Sequence, residues 1–102
     1  MRNEVMNLKA FTDSLREAAP PARLVRALQA LWYDANGAWA AAHDLAQSQG
    51  DRTGAWVHAY LHRKEGDAAN AAYWYDRAGE PVARGSLDEE WGRIVEQLLG
   101  ER

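Results

Sequence analysis

Residues 53–79 read TGAWVHAYLHRKEGDAANAAYWYDRAG, two helix-length segments divided by a Gly-Asp pair. Gly66 suits the left-handed residue that closes a helix, and Asp67 suits the cap that opens the next. On both sides of that pair the apolar and small residues recur at helical rather than strand spacing. About Thr53 to Glu65 and about Asp67 to Ala78 are therefore expected as two helices. The short connection makes them antiparallel neighbours.

The same punctuation recurs along the chain. Pro20-Pro21, Asn36-Gly37, Gly50-Asp51 and Gly79-Glu80-Pro81 complete a division into six segments. The first helix is expected over about Asn3 to Ala18, with Val5, Leu8, Phe11 and Leu15 on one face. The second follows the prolines, with Pro21 in its first turn and Leu24, Leu28, Leu31 and Ala35 as its buried stripe. A short third helix runs over about Ala38 to Ser48. The sixth opens on Ser86-Leu87-Asp88-Glu89, a capping-box pattern, carries Leu87, Trp91, Ile94 and Leu98, and ends at Gly100. Glu80 to Gly85 reads as the longest linker. The expected fold is all-α, about six helices in antiparallel hairpins, arranged as a stack or a compact bundle.

A chain of 102 residues supports one domain, 1–102, with one core. Without cysteine it has no disulfide framework, zinc ribbon or thiol chemistry. The net charge of −3 is spread in both signs, and Arg63-Lys64 is the one adjacent basic pair, so nucleic acid is not an expected partner. The beginning of the sequence lacks the apolar run of a signal peptide, and no stretch approaches the roughly 20 apolar residues that span a bilayer. A cytoplasmic protein without membrane association is expected. The five tryptophans (Trp32, Trp39, Trp56, Trp74 and Trp91) imply either an aromatic-rich core or an adhesive surface.

Gly66, Asp67, Ala71, Tyr75 and Ala78, with Ala59 seven residues before the glycine, resemble the second half of a tetratricopeptide repeat. Ala30, Tyr33, Gly37 and Ala42 hold equivalent spacings in the preceding hairpin, but Ala46 stands where that family has an aromatic. The two loop glycines are 29 residues apart, against a family period of about 34. The resemblance covers about Leu24 to Pro81 and implies stacked helical hairpins that bind a protein or peptide. The run Trp56 to Asp67, with Asn70 and Tyr73-Trp74-Tyr75, also resembles a group of small bacterial proteins of unassigned function, which implies no activity.

His58 and His62, four residues apart, share a face of the fourth helix. Two histidines at this spacing can hold one metal ion, yet Ala59 stands where a zinc protease carries its glutamate. In the repeat-like hairpin both imidazoles point inward, toward Ala71 and Tyr75. His43, one residue after Ala42, faces the fourth helix, so all three histidines can converge. Their convergence would make either an open metal site or a set of buried, hydrogen-bonded imidazoles. Asn70 is placed to cap or bridge near the Gly66 loop and to orient a histidine.

Trp56, Tyr60 and Arg63, at spacings of four and three, lie on the side that tetratricopeptide-like stacks leave open as a concave face. An aromatic pair ending in an arginine suits a peptide with an acidic group. Arg63 and Lys64 also complement the end of the helix dipole. Tyr73-Trp74-Tyr75 covers more than half a turn, so one ring packs inward while another faces out. Glu89 and Glu90 read as partners of the helix start, and Arg93 as partner of Glu89.

The leading expectation is a non-catalytic module that binds a protein or peptide, or a second copy of itself, through Trp56, Tyr60 and Arg63. The alternative is a small-molecule or metal-binding protein using His43, His58 and His62 with Tyr75. No nucleophile elbow, phosphate loop or dinucleotide fingerprint argues for an enzyme, and no cofactor is implied.

Overall fold

The computed structural model describes residues 6–100 and is all-helical. Six α-helices follow one another: α1 (Leu8–Asp13), α2 (Arg26–Ala35), α3 (Trp39–Ser48), α4 (Arg52–Lys64), α5 (Ala68–Ala78) and α6 (Leu87–Leu99). A single 3₁₀ turn (Ser14–Arg16) extends α1. None of these helices is long and apolar enough to cross a membrane.

The two central hairpins close in the same way. Gly37, at φ 82°, lets Ala38 N–H reach the Tyr33 carbonyl while Gly37 N–H reaches that of Asp34. Gly66, at φ 90°, repeats the pattern, with Asp67 N–H on the His62 carbonyl and Gly66 N–H on that of Arg63. This pair of bonds satisfies helix-end carbonyls, and it needs a left-handed residue that glycine adopts without a Cβ penalty. Asp51 caps α4 by accepting from Gly54 N–H at 2.9 Å, and Asp67 caps α5 by accepting from Asn70 N–H at 3.2 Å. The capping box of α6 is present in both directions between Ser86 and Glu89.

Helix α4 is the hub, packed against α2, α3, α5 and α6. From Gly54 to His62 every residue is buried except the half-buried Trp56. The end of α3 lies beside the start of α2, where Gln49 Oε1 accepts from Ala27 N–H at 2.7 Å. The start of α3 lies beside the end of α4, where Trp39 Nε1 donates to the Leu61 carbonyl at 2.9 Å. Neighbours in the chain therefore alternate in direction. The main core joins Phe11, Leu28, Leu31, Val57, Leu61, Ile94 and other residues from α1, α2, α3, α4 and α6. A smaller cluster of Ala59, Ala71 and Tyr75 seals α4 to α5. Indoles staple the helices: Trp32 Nε1 reaches Ser14, and Trp91 Nε1 reaches the Leu31 carbonyl.

Two carboxylates are buried beside α4, and each has partners. Asp34, 3% exposed, accepts from Tyr60 Oη at 3.1 Å and pairs with Lys64 at 3.0 Å. Glu90, 1% exposed, pairs with Arg63 at 2.9 Å and accepts from Tyr75 Oη. Arg63 also donates to the Gly85 carbonyl. Burial and the neighbouring carboxylate push both Tyr60 and Tyr75 up, so each phenol stays a donor.

The outer segments differ from expectation. Helix α1 begins at Leu8, capped by Asn7, and gives way to the 3₁₀ turn after Asp13. Asn3 and Val5 lie outside the described residues. Helix α2 begins at Arg26 rather than at Pro21, and Arg23 adopts φ 69° in the intervening turn. Leu24 therefore precedes the helix, and Ala35 is exposed. The stretch 17–25 outlasts the linker between α5 and α6, which sequence spacing marks as the longest. Glu90 stands in the first turn of α6 as expected, and it is also a buried ion-pair partner of α4, because it shares the inward register of Leu87 and Ile94.

Gly54 sets the approach of the α3–α4 corner to α4: a Cβ there would stand 1.8 Å from the Gln49 carbonyl oxygen. Since that atom belongs to the backbone, Gly54→Ala should destabilise the fold by about 2 kcal/mol or more, through overpacking. Gly50→Ala, where a Cβ meets nothing within 4 Å, should change stability by less than about 0.5 kcal/mol. Urea denaturation of the two variants checks the contrast.

Candidate metal centre

Helices α3, α4 and α5 meet along a seam of imidazoles and indoles. Within α3 the four-residue spacing puts Trp39 under His43, stacked with centroids 5.0 Å apart and planes 17° from parallel. Within α4 the same spacing stacks His58 on His62 at 4.8 Å and 25°. Trp74 of α5 covers the other face of His58 at 4.0 Å and 18°. His43 meets this stack edge-on, its centroid 4.5 Å from His58 and 5.2 Å from His62. One ligand nitrogen from each of the three histidines lies within 4.8 Å of the other two.

The convergence expected of His43, His58 and His62 is present. Nε2 of His43 and Nε2 of His58 are 2.9 Å apart. Two imidazole nitrogens at hydrogen-bond distance need one proton between them, so one ring donates and the other offers a bare lone pair. His62 Nδ1 lies 2.7 Å from Glu65 Oε2. A carboxylate in that place holds the proton on Nδ1 and leaves Nε2 bare as a ligand atom. His58 is 4% exposed, His62 7% exposed and His43 half-buried. Burial, with the neighbouring His43 and His62, presses the His58 imidazole down to about 4. It is therefore neutral and ligand-competent at neutral pH.

The other residues singled out from the sequence lie elsewhere. Tyr75 is fully buried, as expected, but its hydroxyl serves Glu90 and not the imidazoles. Asn70 bonds Asp67 and orients no histidine. Trp56, Tyr60 and Arg63 do not form an open face. Tyr60 is 2% exposed and donates to Asp34. Arg63 is held by Glu90 and Gly85, and Trp56 is half-buried against both cores, facing the stretch 81–84 across a cavity of about 510 Å³. Helix α6 and the segment before it return over the side that a repeat-like stack leaves open. Of the tyrosine–tryptophan triplet, Tyr73 faces out at 55% exposure while Tyr75 packs inward.

Sequence reasoning missed Trp39, Trp74 and Glu65 as parts of this centre. Two of them carried a local signal: Trp39 precedes His43 by four residues, and Glu65 follows His62 by three. Trp74 had none, because its contact with His58 crosses the hairpin.

No protein-family model matches the chain, and no curated protein or solved structure is significantly similar to it.

The depressed His58 makes stability depend on pH with a definite sign. Between about 4 in the folded chain and the ordinary 6.5, the unfolded chain binds more protons than the folded one. Stability is complete above 6.5 and is lost as pH falls toward 4, by up to about 3 kcal/mol. Urea midpoints measured from pH 7 to 4.5 should fall for the parent chain. They should fall less for His58→Gln, and equal slopes would remove His58 as the cause.

Proposed function

We propose that this chain is a transition-metal-binding protein whose ligands are His43, His58 and His62. The supporting observation is the convergence of three imidazoles from two helices in a largely buried seam, with one of them oriented by a carboxylate. All-imidazole donor sets suit zinc, copper, nickel or cobalt rather than magnesium or calcium. Three histidines with a further open position are a known pattern for zinc.

The fit requires the imidazoles to move, His62 closing in from within 4.8 Å of the other two. Two nitrogens on one tetrahedral zinc stand roughly 3.3 Å apart when each metal–nitrogen bond is about 2.05 Å. The His43 and His58 nitrogens, at 2.9 Å, would part by a few tenths of an ångström as the shared proton leaves. Uptake is therefore coupled to proton release, and affinity weakens in acid. Interaction through Trp56, Tyr60 and Arg63 is the weaker reading, since the Tyr60 hydroxyl and the Arg63 guanidinium serve contacts within the chain and Trp56 is half-buried against both cores.

Tag-free protein titrated with zinc, copper or nickel should bind one ion per chain. Trp39 and Trp74, stacked on two of the ligands, should report it by a change in tryptophan fluorescence. His58→Gln or His62→Gln should weaken binding at least about a hundredfold, and Glu65→Gln about tenfold. Sub-stoichiometric uptake at micromolar metal, or uptake indifferent to these substitutions, would overturn the reading.

A further inference from the structure

We infer that the three-histidine centre, once loaded, takes a small oxyanion as its remaining ligand, admitted through the cleft beside His58. The inference rests on the metal reading above and adds the class of its ligand.

The first reason is charge. The three imidazoles are neutral donors, and among the described residues no carboxylate stands within the same reach of all three. Glu65 is committed to Nδ1 of His62. A divalent ion in this seam therefore keeps its whole charge in a setting where His58 and His62 are over nine-tenths buried. Buried charge is stabilised by a counter-charge at close range, and the protein supplies none in the donor set. With three protein ligands a tetrahedral ion also keeps one position open.

The second reason is the approach. A cleft of about 360 Å³ opens between the α3–α4 corner and α5, with His58 and Trp74 in its wall. Arg52 and Arg77 stand in the same wall. Among the described residues neither guanidinium is within ion-pair distance of a carboxylate. Arg77 instead lies over the rings of Tyr73 and Trp74, 5.6 and 5.5 Å from their centroids. Asp51, the one acidic residue in the wall, is committed to the Gly54 N–H, a bond that holds its carboxyl below the usual range. Two arginines with no carboxylate partner among the described residues, in the same wall as one ligand of a dication, disfavour the bare ion and favour its anion complex. The planar guanidinium fork also matches carboxylate or phosphate oxygens.

Cobalt is the probe, because its visible bands respond to the fourth ligand. Tag-free protein loaded with one equivalent of Co²⁺ is titrated with acetate and, separately, with phosphate, at ionic strength held by perchlorate. The expected result is a saturable change in the visible spectrum with at least one of them. The two arms distinguish a carboxylate from a phosphate ligand. In the Arg52→Ala/Arg77→Ala double variant, cobalt affinity should stay within about threefold of the parent while anion affinity falls roughly tenfold. Bound cobalt with a spectrum indifferent to both anions overturns this inference alone. Equal anion affinity in the double variant also overturns it, because the cleft then plays no part. Failure to take up cobalt overturns the three-histidine reading and this one with it.

Discussion

The structure depends on the enclosure of α4. A helix surrounded on every side must find partners for each polar group it carries, since an unpaired buried donor or acceptor costs more than a typical hydrogen bond returns. Between Gly54 and Lys64 that helix carries two histidines, a tyrosine, an arginine and a lysine. Three of the four neighbouring helices answer these demands, and His62 turns to Glu65 at the end of α4 itself. Helix α2 supplies Asp34 to Tyr60 and Lys64, α6 supplies Glu90 to Arg63, and α3 supplies His43 to His58. Among the described residues no buried side-chain nitrogen or oxygen lacks a partner. Apolar burial drives the helices together, and the polar partnerships fix which rotation of each helix is acceptable.

Much of this was legible in the sequence where the signal was local. Gly37 and Gly66 mark hairpin turns because the chain there needs a left-handed residue. Asp67 and the Ser86/Glu89 pair mark helix starts because orphan N–H groups need acceptors. The meeting of the histidines was legible because hairpin geometry carries His43 onto α4. The ends of α1 and α2 were less so. The proline pair breaks the chain as expected, but the stretch through Arg23 continues the break to Val25, and no residue pattern there announces the delay.

The open face assigned to Trp56, Tyr60 and Arg63 failed for a non-local reason. Whether a helical side is exposed depends on what returns to cover it, and Glu90 meets Arg63 across 27 residues of chain. One clue was present in α6 itself. Glu90 lies in the register of Leu87, Ile94 and Leu98, so a charged residue there implies a partner of opposite sign. Asp34 sits likewise in the inward register of Ala27, Ala30 and Leu31. A charged residue on an apolar stripe is a statement about a distant neighbour, and both carboxylates here proved to be that.

Gly54 carries a consequence beyond stability. Its missing methyl group lets the corner between α3 and α4 close down on the α4 axis, and His43 and His58 stand on the two helices that this corner joins. The spacing of the two rings thus answers in part to a backbone contact some distance from either of them. On the proposed metal-binding reading, an evolving or engineered chain that wanted a wider grip, for a larger ion, would find its adjusting screw in the backbone at this glycine and could leave the three histidines alone.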